Sequence, residues 1–183
     1  MKVIIGLVGD MGSGKSTVAS YLTKKYGASH YTYSTPLKQI LNILCIEPNR
    51  VNLIDLFLIL APRFGEDVLA RPMKQSIEND SNKYIVVEGI RRPADISLLK
   101  ELPHFHLIGV RSDSRTRYDR ITKRHEKSDD NSKTFDEFLE DHKRTTELLI
   151  GAMVEASDIV IDNNGSLGEL EQQIETVLNK IRS

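Results

Sequence analysis

The sequence predicts an α/β protein: a five-stranded parallel sheet with helices on both faces. Two observations carry this prediction. Short apolar, β-branched segments alternate with stretches of helical spacing along the whole chain. The first such segment also runs straight into Gly9-Asp-Met-Gly-Ser-Gly-Lys-Ser16, which fits the phosphate-loop pattern G-x-x-x-x-G-K-[ST] with a strand before it and a helix after it. At 183 residues the chain suits one compact domain, residues 1–183, and is too short for two ordinary domains and a linker.

Residues 2–8 read as a buried strand and residues 17–26 as a helix that Gly27 stops. A second strand is expected at 30–33, followed by a helix over 36–46 capped by Ser34 or Thr35, with Pro36 near its first turn. Residues 51–61 form the longest apolar stretch, bounded by Pro48 and Pro62 and too short to span a bilayer. A helix apolar on most sides must be buried, so a core helix is expected there, with a face covered by a second subunit as the alternative. Further helices are expected at 64–78, 93–102, 114–124, 135–155 and 167–181, and further strands at 83–87, 105–110 and 158–161. In such sheets ligands bind at the carboxyl ends of the strands. The loops at 9–16, 33–36, 88–92, 111–115 and 162–166 are therefore expected to surround one cleft.

The phosphate loop implies a bound nucleoside triphosphate. Glycines at 9, 12 and 14 let the backbone fold its N–H groups around phosphate oxygens, and the following helix directs its positive end to the same place. Lys15 is suited to the β- and γ-phosphates and the Ser16 hydroxyl to Mg²⁺. Asp10 either contacts the acceptor or a Mg²⁺-bound water, or caps a neighbouring amide. At the end of the third strand, Glu88, Arg91 and Arg92 join a carboxylate to two guanidiniums, a set suited to positioning phosphate. The competing interpretation is a loop in which Glu88 only pairs with Arg91 or Arg92. Residues 111–127 hold seven basic and three acidic side chains, a local charge of +4, and Arg117, Arg120 and Arg124 fall on one helix face. The polar segment 125–133 could then act as a hinged cover and Arg144 could return another charge, although an exposed, salt-bridged helix accounts for the same pattern.

Composition excludes several classes. Lys plus Arg at 25 against Asp plus Glu at 26 gives a net charge of −1, so no overall field favours nucleic acid or an anionic membrane. Cys45 is the single cysteine, which rules out an intrachain disulfide and fits a reducing, cytoplasmic compartment. The first strand begins at residue 2, so no leader is expected ahead of it. His104 and His106 alternate on one strand face but lack companions at zinc-site spacing, and no tightly held transition metal is expected. A GTPase would need an N-K-x-D segment, which the sequence lacks.

The phosphate loop, residues 33–38 (Tyr-Ser-Thr-Pro-Leu-Lys), Glu88-Gly-Ile-Arg91, the pair Arg120 and Arg124, and residues 156–167 together resemble the P-loop nucleotide kinases. Within that superfamily the sequence is most similar to dephospho-coenzyme A kinases, phage-type deoxynucleoside monophosphate kinases and an archaeal kinase-like group. The resemblance implies a three-layer P-loop kinase fold with an acceptor-side helical region over about 36–80 and a lid over about 115–145. It implies ATP and Mg²⁺ held by Gly9, Met11, Gly12, Ser13, Gly14, Lys15, Ser16 and Thr17, with Asn163 to Gly165 against the adenine. By the same resemblance Arg120 and Arg124 belong to the lid base and Glu88 and Arg91 lie between donor and acceptor. Asp10, Ser34, Arg71 and Arg92 fall on the acceptor side. Dephospho-coenzyme A kinases usually place an Asp soon after the second strand, where this chain has Ser34, Thr35 and Pro36, and the Pro-Leu-Lys turn leans toward the deoxynucleotide kinases. The expected protein is a monomer or homodimer acting on a small acceptor. The rival is an ATP-driven switch that acts on a protein or ribonucleoprotein partner and exposes 51–61 as a docking face.

Overall fold

The computed structural model describes residues 2–124, 134–142 and 145–182, with the side chains of 124, 141, 142 and 145–148 outside the described set. Five strands, β1 (Val3–Val8), β2 (Ser29–Thr32), β3 (Tyr84–Glu88), β4 (Phe105–Arg111) and β5 (Ile159–Asp162), form one sheet in the order β2-β3-β1-β4-β5. Every pairing is parallel, with Ile5 opposite Val86 on one side and His106 on the other. β1 is buried at all six positions, as a central strand covered on both faces must be.

Nine helices are described: α1 (Lys15–Tyr26), α2 (Ser34–Ile43), α3 (Arg50–Phe64), α4 (Ala70–Asn79), α5 (Pro93–Ser97), α6 (Ser114–Arg124), α7 (Phe135–His142), α8 (Thr145–Glu155) and α9 (Leu167–Arg182). Successive strand residues point to opposite faces, and the core divides accordingly. Val3, Ile5 and Leu7 pack with Val18 and Leu22 of α1 and Leu170, Ile174 and Leu178 of α9. Ile4, Val8, Ile85 and Val87 pack on the other face with Leu37 of α2, Met73 and Ile77 of α4 and Met153 of α8. Three layers result, with β1 delivering the phosphate loop from the centre of the sheet.

Several expected elements are corrected. The helix after β2 begins at Ser34, with Tyr33 at its N-cap and no side-chain cap, so neither Ser34 nor Thr35 caps it. Residues 64–78 are not one helix: Phe64 closes α3, Gly65 turns the chain at φ +100, and α4 starts at Ala70. Residues 93–102 divide into α5 and a 3₁₀ turn at Leu99–Glu101. The expected helix 135–155 is described as α7 and α8, with 143 and 144 outside the described residues. His104 precedes β4 rather than sharing a strand face with His106. The largest correction concerns α3, which is not a core helix. Of its residues only Ala61 is buried, while Val51, Ile54, Leu58 and Ile59 are 47–69% exposed. Leu53, Leu56, Phe57 and Leu60 supply the one face that meets the core. Among the described residues no helix is long and apolar enough to cross a membrane.

Candidate functional site: a phosphate loop facing a carboxylate

The carboxyl ends of β1 and β3 and the start of α1 open onto one cleft of about 1170 Å³. Its floor is the phosphate loop. Gly12 and Gly14 lie at φ +79 and +104, in the left-handed region that favours glycine, and Gly14 forms the N-cap of α1. Ser13 N–H donates to Asp10 O and Thr17 N–H to Gly14 O, which closes the turn. Among the described residues the N–H groups of Gly12, Gly14 and Ser16 have no acceptor within the chain. These orphaned donors at a helix N-terminus fit the oxygens of a phosphate. The Lys15 ammonium lies across the loop, donating to Gly9 O (2.7 Å) and Asp10 O (2.8 Å).

Across the floor stands Glu88, the last residue of β3 and only 8% exposed. Ser16 Oγ donates to Glu88 Oε1 at 3.0 Å, while His30 Nε2 on β2 lies 2.7 Å from Glu88 Oε2. The carboxylate is thereby held on both oxygens. The convergent Ser16 and Glu88 oxygens fit Mg²⁺, a hard cation that takes one or two protein oxygens and fills the rest of its shell with phosphate and water. His30 and its partnership with Glu88 were not anticipated in the sequence, where the histidine reads as an ordinary strand residue.

The loop that follows Glu88 is fixed by Asp95, 2% exposed at the third position of α5. Asp95 Oδ2 accepts the Arg91 and Arg92 N–H groups at 2.9 and 3.0 Å, and Oδ1 accepts from Arg92 Nη2 at 2.8 Å. Tyr33 donates its hydroxyl to Asp95 O and its N–H to Glu88 O, and burial followed by the nearby Asp95 charge pushes that hydroxyl's pKa upward. Asp95 also went unread in the sequence, although an acidic residue three positions into a Pro-initiated helix is a capping signal. Held in this way, the loop leaves the Arg91 side chain exposed on the cleft wall while Arg92 turns outward to Asp95 and Glu66 and stacks 3.7 Å over Phe57 of α3.

The cleft thus brings together Gly9, Met11, Gly12, Gly14, Lys15, Ser16, Thr17, Ser34, Glu88, Arg91 and Arg120. Six other expected site residues do not line it. Ser13 is buried beneath the loop, its hydroxyl without a partner among the described residues. Asp10 faces the guanidinium of Arg117 at 3.6 Å. Arg117 is itself 7% exposed and donates to Ser112 O, while Arg120 Nη1 donates to Ser112 Oγ, so the two share one face of α6, with Arg117 buried beneath it. Arg71 is occupied by Asp67 and Phe64 O. Arg92 is engaged as described, and Gly165 packs against Glu169 beyond the cleft. Asn163 is 5% exposed, and its Nδ2 donates to Ser13 O at 2.8 Å while its carbonyl accepts from Ser112 Oγ and Arg120 Nη2. It ties β5 to the underside of the phosphate loop. Leu167, at the start of α9, is the residue of that region exposed in the cleft. The Arg124 side chain, the cover at 125–133 and Arg144 lie outside the described residues.

The Asn163 contact has a measurable consequence. A Cβ on Gly14 would sit 2.1 Å from Asn163 Nδ2, at a φ that L side chains resist. Gly14→Ala is therefore expected to lower stability by about 1–3 kcal/mol in urea unfolding and to weaken ATP binding. A stability within about 0.5 kcal/mol of the parent would show that the loop tolerates the change.

The family model for an AAA domain matches residues 5–140, and the chain belongs to that family. A UPF0200 protein of Methanothermobacter thermautotrophicus is 30% identical over 123 residues, covering 67% of this chain and 64% of that one. A UPF0200 protein of Methanococcus vannielii is 27% identical over 182 residues, 97% of this chain and 96% of that one. The crystal structure of a shikimate kinase from Bacteroides thetaiotaomicron superposes with a TM-score of 0.66 over 99% of each chain at 12% identity. The fold is that of the P-loop kinases, as the sequence implied.

Proposed function

We propose that the chain is an ATP-dependent, Mg²⁺-requiring kinase that transfers the γ-phosphoryl group to a nucleotide-like acceptor, a nucleoside or deoxynucleoside monophosphate. The observation that carries this reading is the meeting of Ser16 and Glu88 at 3.0 Å, with Arg91 exposed on the same cleft wall. A serine and a carboxylate facing across the loop serve Mg²⁺ in P-loop NTPases generally. The arginine exposed beside them is what a kinase adds, because transfer to an anionic acceptor rests on positioning a second anionic group and neutralising the charge between the two.

In this reading the orphaned amides of Gly12, Gly14 and Ser16 and the Lys15 ammonium hold the triphosphate, and Ser16 Oγ ligates Mg²⁺. When bound, the metal neutralises charge on the phosphate oxygens. Glu88, steadied by His30, orients Ser16 Oγ. Arg91 meets the acceptor phosphate and the Thr32 and Ser34 hydroxyls lie beside it on the wall. An acceptor oxygen forms the new bond to the γ-phosphorus as the bond to the β-bridging oxygen breaks, releasing ADP. The base lies toward Arg120 and Leu167, and Asn163 acts from beneath the loop. The acceptor side corresponds to about 36–80 and the lid to about 115–145.

Dephospho-coenzyme A is the alternative acceptor. A partner-directed ATPase is a second reading, favoured by one observation: the apolar residues of α3 are exposed. An ADP-release assay with Mg·ATP against nucleoside and deoxynucleoside monophosphates and dephospho-coenzyme A separates the three. Stimulation of at least about tenfold by a monophosphate, with the phosphorylated product seen by mass spectrometry, is expected. Slow release that no acceptor accelerates would replace the kinase with the ATPase.

A further inference from the structure

Nine of the large hydrophobic side chains that this fold leaves exposed lie within residues 40–64: Ile40, Ile43, Leu44, Ile46 and Val51, Ile54, Leu58, Ile59, Phe64. They are 36–79% exposed. Together they amount to about five fully exposed side chains, on the order of 600 Å² of apolar surface at about 120 Å² each, comparable to the apolar share, about 60%, of one face of a standard interface. The largest apolar patch on a monomer is about 300–600 Å², and a stable interface takes about 800 Å² from each partner. The helices that carry the patch pack against each other, and α2 is ended by a turn in which Ile46 N–H donates to Leu41 O at 2.8 Å. Their polar content is equally unusual. Only Glu47, Arg50, Asp55 and Arg63 are charged among the 25 residues from 40 to 64, in a chain that is 28% charged. Depletion of charge marks the centre of an interface.

We infer that this face of α2 and α3 is the contact between two copies of the chain in a two-fold dimer. Val51, Ile54 and Leu58 recur at i, i+3 and i+7 on the side of α3 away from the core, a stripe that pairs with its own copy antiparallel about a two-fold axis. A second copy satisfies both halves of such a contact with the one patch already present. A bilayer fits less well, because a membrane-surface helix carries Lys and Arg along its polar face and this segment holds only Arg50 and Arg63 between 40 and 64. The dimer contact backs onto the acceptor side of the cleft. α2 begins at Ser34 in the cleft wall, and Phe57 of α3 carries the stacked Arg92.

The inference does not depend on the kinase reading, since its test measures mass. Light scattering during size exclusion of the full chain, loaded at about 1–100 μM, is expected to give twice the 20.7 kDa of one chain. Leu58→Glu and Ile54→Glu change exposed positions outside both core clusters and are each expected to give 20.7 kDa with an unchanged circular dichroism spectrum. Three results would overturn the inference: a monomeric parent chain at the highest concentration, a dimer that survives both substitutions, or a monomer that co-sediments with phosphatidylcholine–phosphatidylserine vesicles.

Discussion

Lys15→Ala is expected to lower kcat by about 10²–10³-fold while leaving the fold intact. The ammonium sits over the loop, bonded to the Gly9 and Asp10 carbonyls, and no part of it belongs to either core cluster. Its removal takes away the one mobile positive charge that the loop itself supplies to the β- and γ-phosphates. Arg91→Ala should behave differently. It lies on the cleft wall beyond Glu88, held there through its backbone by Asp95, so its loss is expected to raise the acceptor KM by about 10–100-fold with the KM for ATP within about twofold. Initial-rate kinetics with both substrates varied would check the pair. Equal loss of ATP affinity in the two variants would show that Arg91 does not mark the acceptor side.

What the sequence revealed and what it hid divide along the range of the interactions. The strand–loop–helix of residues 3–26 is local: β-branched residues make the strand, glycines make the turn, and Gly27 in the left-handed region ends α1. Each of these reads from adjacent residues. The alternation of strands and helices then allows little besides a parallel sheet, and the sheet brings three of the five expected loops to the cleft. The register of β2 against β3 is not local. His30 meets Glu88 only because β2 lies beside β3 at the sheet edge, with Thr32 paired to Glu88. Asn163 likewise takes its place under Ser13 across 150 residues of sequence. Its position next to the loop was legible, and its role beneath it was not. The failure at α3 has another cause. Apolar residues around most of a helix state that it must be covered, and say nothing about whether its own chain does the covering.

Glu88→Gln is expected to lower kcat by about 10²-fold with both KM values changed less than threefold. The amide preserves the size of the side chain and can still accept from Ser16 Oγ, so a purely structural role would survive the substitution. What it loses is the full charge and one of the two acceptor oxygens, the one that His30 Nε2 approaches at 2.7 Å. His30 touches Glu88 rather than the reacting groups and is a positioning residue. Its removal leaves the carboxylate charged but anchored through one oxygen only. His30→Ala is therefore expected to cost about tenfold in kcat with unchanged KM for ATP, and His30→Gln, which can still donate to Glu88 Oε2, to restore part of the rate. The double variant Glu88→Gln/His30→Ala should be little slower than Glu88→Gln alone, because the histidine acts through the carboxylate. Additive losses in that cycle would instead place His30 in direct contact with a substrate, and a Glu88→Gln enzyme of parental kcat would remove the carboxylate from the chemistry altogether.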